Sequence, residues 1–175
     1  TSLNDNGISQ AQRLAPILAK YEFDKIYASD LQRVMQTAIY AGMREDCITP
    51  EPRMREISFG KFEGLTHVEV AEQYPDELGA WGDDRENNVH GGEKTSEVVA
   101  RVRAFYEYLR DTHHEREKII CFAHGGTIAI FLAVAMGMNA HQWWQFLIEN
   151  TSVTEVNLYD RGTLLKKFND THHLD

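Results

Sequence analysis

The stretch Lys118–Phe131, KIICFAHGGTIAIF, decides how this chain folds. Its apolar run, Ile119–Ala123, has the length of a buried strand. The run stops at His124, two glycines follow, and apolar character resumes from Thr127 toward Met136 with the composition of a buried helix. A strand, a sharp turn and a helix in immediate succession form an α/β unit. Ligands of open parallel sheets bind where strand C-terminal ends meet helix N-termini. His124 stands at such a join. Gly125 and Gly126 permit a sharp turn and a close approach of backbone to a ligand. The following helix aims its free N–H groups and positive dipole end at the same place. A histidine there suits an anion, phosphate being the common one. A histidine satisfied by a strand-end carbonyl is the other reading, and the local pattern leaves both open.

Outward from this unit, strands and helices alternate. Asn4–Tyr21 has Ile8, Ala11, Leu14 and Leu18 on one helical face, with Asn4 as its cap and Gly7 and Pro16 against it. DKIYAS, Asp24–Ser29, is a short strand, and Ser29 or Asp30 caps a helix running to about Met43. CITPEP reads as an extended connector, and RMREISFGKFEG as strand or loop. A short helix, His67–Tyr74, stops at Pro75, and Gly82–Lys94 is a polar loop. Thr95 or Ser96 opens a long helix through Leu109, with Val98, Val102, Phe105 and Leu109 at helical spacing. A short helix over Ala140–Leu147 precedes a hairpin around Asp160-Arg161-Gly162. The expected fold is a single α/β domain: a three-layer sandwich with a mostly parallel central sheet and helices on both faces. Its two strand–helix junctions are Ser29-Asp30 and His124-Gly125.

The totals agree with one such domain. The 175 residues are 42% hydrophobic, enough for a core at this length. A formal charge of −9 argues against a nucleic-acid surface. Any phosphate site must then be a local basic pocket. The two cysteines, Cys47 and Cys121, build no disulfide framework, so a cytoplasmic location is expected. The apolar run Thr127–Met138 is too short to span a bilayer, and the first residues have no signal-peptide pattern.

Two further residues bear on chemistry. Arg33 lies one turn into the helix at the other junction, where a guanidinium makes a bidentate phosphate clamp. A solvated helix arginine is the plainer reading. Glu56, beside such a site, would have a raised pKa and could act as a general acid. A surface carboxylate paired with Arg53 or Arg55 is the plainer reading there. His67 and His90, in or beside the loop region, could touch a substrate. The pairs His113-His114 and His172-His173 lack the ligand spacing of a metal site. Trp143-Trp144 read as core and edge packing.

Six segments in order resemble the histidine phosphatase superfamily, the phosphoglycerate-mutase-like proteins: TSLNDNGISQAQRLAPIL, FDKIYASDLQRVMQTA, REISFGKFEG, HGGEKTSEVVARVRAFYEYL, CFAHGGTIAIFLA, and ENTSVTEV with FNDTHHL. Asn4 stands where threonine is usual, Lys94 where serine is common, and Ala129 where arginine is frequent. The resemblance implies that Arg33 binds phosphate, that Glu56 is the proton donor and that His124 is the second catalytic histidine. It implies phosphoryl transfer through a phosphohistidine, without metal or other cofactor. His90 and Gly125 join Arg33 and His124 as expected substrate-binding positions. His124-Gly-Gly and the short stretch after Glu56 favour the phosphatase branch over phosphoglycerate mutase. The family begins with a strand ending in Arg-His-Gly, whose histidine is the nucleophile, and these residues contain no such triplet. The expectation is an N-terminally truncated form of a phosphatase for small phosphorylated metabolites, with little turnover of its own. The alternative is a non-catalytic phosphate-binding or interaction protein on the same scaffold. A homodimer is left open, and neither nucleic acid nor membrane is an expected partner.

Overall fold

The computed structural model describes residues 1–175. Three parallel strands, β1 (Lys25–Ala28), β2 (Ile48–Pro50) and β3 (Ile119–Phe122), form a sheet in the order β2-β1-β3. Tyr27 lies opposite Thr49 on one side and Cys121 on the other. Side chains alternate across the sheet, so neighbouring residues of β1 feed two different cores. Ala28 joins Leu14, Leu18, Val34, Ala38 and Phe122 beneath α1 (Asp5–Leu18) and α2 (Gln32–Tyr40). Tyr27 joins Met54, Val98, Val102, Phe105 and Ile130 on the other face. There α5 (Thr95–Thr112) and α6 (Gly125–Ala135) pack on one another. The sandwich of helix layers on both faces of a parallel sheet is therefore present.

Local signals act much as the sequence implies. The Asn4 side chain accepts the Gly7 N–H at 2.9 Å and starts α1. Pro16 lies inside that helix, which ends at Leu18 rather than Tyr21. A proline removes one ladder bond and crowds the preceding turn, so little helix follows it. CITPEP contains a true edge strand, β2, where prolines are tolerated because the N–H side of an edge is unpaired. Thr66 and Glu69 form a reciprocal capping box that opens α3 (His67–Gln73).

Pro75 does more than stop that helix. It occupies the first turn of another, α4 (Pro75–Asp83), where its missing N–H costs nothing. Gly82 and Asp83 thus close a helix and do not open the polar loop. The segment Ala140–Gln145 is 3₁₀ rather than α. The C-terminal hairpin consists of β4 (Val153–Tyr159) and β5 (Gly162–Asp170), antiparallel and forming a sheet of its own. β3 is consequently an edge strand, paired with β1 alone, and Ile119, Ile120 and Cys121 are half-exposed.

Phe105 is fully buried and meets the Tyr27 ring edge-on at 5.4 Å. Phe105→Ala should cost about 3–5 kcal/mol in urea unfolding, the range for emptying an aromatic core site. A loss below about 1 kcal/mol would mean that β1 and α5 do not share one core.

Candidate active site

Strands β1 and β3 end side by side. The Ser29 N–H donates to the Phe122 carbonyl at 2.9 Å, extending the ladder one residue past the end of β1. The two chains then diverge, one into α2 and the other into α6. Arg33 and His124 are thereby brought together from positions 91 residues apart. Arg33 Nη2 lies 3.1 Å from His124 Nδ1, and His124 Nε2 lies 2.9 Å from Ser29 Oγ. Guanidinium can only donate, so Nδ1 accepts and the ring proton of neutral His124 sits on Nε2, donating to Ser29. Both Ser29 and His124 are buried, at 0% and 8% exposure. Burial, then the charges of Arg33 and Arg101, push the His124 pKa down to about 4.

Glu56 arrives from the irregular segment after β2. Its carboxylate accepts the Ile57 N–H at 2.9 Å and the Gly126 N–H at 3.3 Å, so it sits at the first turn of α6. Burial raises its pKa, against the opposing pull of those two N–H groups and of Arg33. Neither arginine named as its surface partner takes it. Arg53 pairs with Glu51 and Arg55 with Asp30. Gly126 is needed for this approach, since a Cβ there would lie 2.6 Å from Glu56 Oε1 and 2.9 Å from the Ile57 side chain. At Gly126 the missing side chain thus lets a carboxylate of the chain itself come close. Gly125 opens α6, where N–H groups have no partner within the helix.

The structure brings together Arg33, Glu56, His124, Gly125 and Gly126, and adds Ser29. His90 stands apart. It is 2% exposed, stacked on Phe62 at 5.3 Å and beside Trp81 at 5.8 Å. Neither of its ring nitrogens has a hydrogen-bond partner. Burial, and secondarily Lys61, lower its pKa. His67 is exposed on α3. The paired histidines have separate partners: His113 bonds Tyr27 and Glu117, His172 bonds Asp170, and His173 bonds Thr151. No group of three or more His, Cys, Asp or Glu side chains is arranged to hold a metal ion. No helix is long and apolar enough to cross a membrane.

An α/β sandwich with an arginine, a buried neutral histidine and a desolvated carboxyl at adjoining strand ends has the makings of a phosphate-handling site. Residues 1–171 match the histidine phosphatase superfamily (branch 1), and the chain belongs to that family. It is 28% identical over 174 residues to phosphoserine phosphatase 1 of Hydrogenobacter thermophilus, covering 98% of this chain and 82% of the relative. It is 33% identical over 150 residues to glucosyl-3-phosphoglycerate phosphatase of Mycolicibacterium vanbaalenii, covering 82% and 67%. The crystal structure of the alpha-ribazole phosphatase from Shigella flexneri superimposes with a TM-score of 0.87 at 25% identity, covering 98% of this chain and 85% of that one. These relatives are phosphatases, and the fold is that of the phosphoglycerate-mutase-like proteins.

The depressed His124 pKa is also a statement about stability. Between the ordinary histidine value and about 4, the unfolded chain binds the proton and the folded one does not. Stability should therefore fall as pH drops from about 6.5 to about 4, by up to about 3 kcal/mol. Urea midpoints of the wild-type and His124→Gln proteins across this window should converge as pH falls. His90, also depressed, contributes equally to both proteins. Parallel pH dependences would mean that His124 is not held neutral.

Proposed function

We propose that this domain binds the phosphoryl group of small phosphomonoesters and serves their hydrolysis through a phosphohistidine. The observation that carries the reading is the Arg33–His124 contact, 3.1 Å, with the Glu56 carboxylate on the Gly126 N–H two residues further on. Arg33 and the first amides of α6 offer fixed positive charge to phosphate oxygens. His124 donates through its ring N–H and gains a proton more readily once a dianion lies beside it. Glu56, held toward its protonated form, gives its proton to the leaving alkoxide. It then takes one from the water that releases phosphate. Every charge in this scheme comes from side chains and backbone dipoles, so the resemblance's metal-free chemistry suits the residues present.

The attacking histidine of the resemblance has no Arg-His-Gly counterpart among the 175 residues. The unpaired edge of β3, which runs directly into His124, supports a strand added there as the carrier of that group. On this reading the 175 residues alone hold phosphate and turn over little. Phosphoserine and glucosyl-3-phosphoglycerate, on which the relatives act by name, define the substrate class to test: small phosphorylated metabolites in the cytoplasm. Phosphate binding without hydrolysis is the second reading, favoured by the same missing triplet. A mutase reading draws nothing from the relatives, which are phosphatases by name.

Hydrolysis of p-nitrophenyl phosphate by this chain, and by a form carrying an added N-terminal strand ending in Arg-His-Gly, separates the two. The added strand should raise kcat/KM by at least about 10³-fold, and Arg33→Ala or His124→Ala should remove about 10²–10³ of that. A strand-bearing form that binds phosphate and does not hydrolyse the ester would establish the second reading.

A further inference from the structure

The segment Glu51–Ser58 has little regular structure, yet it must present Glu56 with a fixed aim. Backbone carbonyls in such a segment need donors from elsewhere. Three of them converge on one side chain of α5. Arg101 Nη1 donates to the carbonyls of Arg53 and Arg55, each at 2.7 Å, and Nη2 donates to that of Glu56 at 3.2 Å. The rest of the same guanidinium grips Glu93: Nε to Oε1 at 2.8 Å and Nη2 to Oε2 at 2.9 Å. Glu93 closes the circuit. Its Oε2 accepts the Ser58 N–H at 3.0 Å, and its own N–H donates to the Ser58 carbonyl at 2.8 Å. The ion pair is largely withdrawn from solvent, with side-chain exposures of 19% for Arg101 and 29% for Glu93. Gly92 completes the fit, because a Cβ there would lie 2.1 Å from the Ser58 carbonyl.

We propose that Arg101, braced by Glu93, is the positioning residue for the Glu56 carboxyl. It acts by tying the backbone on both sides of Glu56 to the first two turns of α5. This rests on the reading of Glu56 as the proton donor, and it adds the device that keeps that donor buried against α6. Burial is the leading cause of the raised Glu56 pKa, so whatever fixes residues 53–58 sustains it. Arg101 also depresses His124 through its charge, behind burial and Arg33. One side chain thus acts on both groups in two separable ways, as a rigid fork on Glu56 and as a charge on His124. Glu93 is held below the usual carboxylate range: its burial works the other way, but the Arg101 and Ser58 hydrogen bonds prevail.

Carbon-13 titration of the Glu56 carboxyl and the His124 ring, with no phosphorylated ligand present, tests this in the full chain. In Arg101→Gln the Glu56 midpoint should fall by about half a unit or more toward the ordinary carboxylate value, and the His124 midpoint should rise. In Arg101→Lys, which keeps the charge and loses the fork, Glu56 should fall similarly while His124 stays near its wild-type midpoint. Glu93→Gln, which preserves shape and loses the counter-charge, should lower Glu56 in the same direction. It serves as the readout if Arg101→Gln does not fold. A Glu56 midpoint that stays put in the folded variants, with only the melting temperature reduced, would overturn the proposal and leave Arg101 a structural brace. Because no turnover is read, absence of hydrolysis leaves this result intact, and an unmoved Glu56 leaves the hydrolysis result intact.

Discussion

Everything at the candidate site depends on one parallel pairing. β1 and β3 run together and stop together, and the bond from the Ser29 N–H to the Phe122 carbonyl carries the register into the loops. From there a guanidinium and an imidazole meet with no carboxylate between them. Burial first, and then that contact, disfavour a charged histidine, so the ring stays neutral and its proton goes to the Ser29 side. Glu56 is pushed the other way, toward its protonated form, by burial. The two groups are thus displaced in opposite senses from their ordinary values. That is the pattern by which acid and base roles are assigned to neighbouring residues.

The fold was legible because its decisive signals are local. A short apolar run ending at His-Gly-Gly, with apolar helix beyond, can hardly be placed except at a buried strand–helix join. Val98, Val102, Phe105 and Leu109 repeat at helical spacing and all four are buried in α5. What misled was punctuation. Pro75 reads as a stop when judged from the helix before it and as a start when judged from the one after it. Both are true, and the packing of Trp81 of α4 against Phe59 and Phe62 goes with the second. Ala140–Leu147 reads as a short helix and is 3₁₀ over Ala140–Gln145, a segment with too little length for pattern to separate α from 3₁₀.

The site was legible in its members and less so in their partners. Arg33, Glu56 and His124 are singled out together by the resemblance, whereas the local pattern favours a plainer reading for Arg33 and Glu56 and leaves His124 open. The sequence marks Ser29 as a cap and as one of two strand–helix junctions, whereas α2 is capped at Leu31 and the Ser29 hydroxyl faces His124. Arg101 carried a faint signal: a charge between Val98 and Val102 on a buried helix face needs a partner inside the protein. His90 reads from the sequence as a histidine in or beside a loop that could touch a substrate. The aromatic residues Phe62 and Trp81 that enclose it lie 28 and 9 positions away, beyond any local pattern.

The most direct measurement is the titration of the His124 ring with and without saturating inorganic phosphate, followed by nuclear magnetic resonance on the 175-residue chain. If Arg33 and His124 hold the anion together, phosphate should raise the His124 midpoint from about 4 by about a unit or more. Arg33→Ala should weaken that binding at least about tenfold. A His124 midpoint indifferent to phosphate, with binding unchanged in Arg33→Ala, would contradict a phosphate site at the ends of β1 and β3.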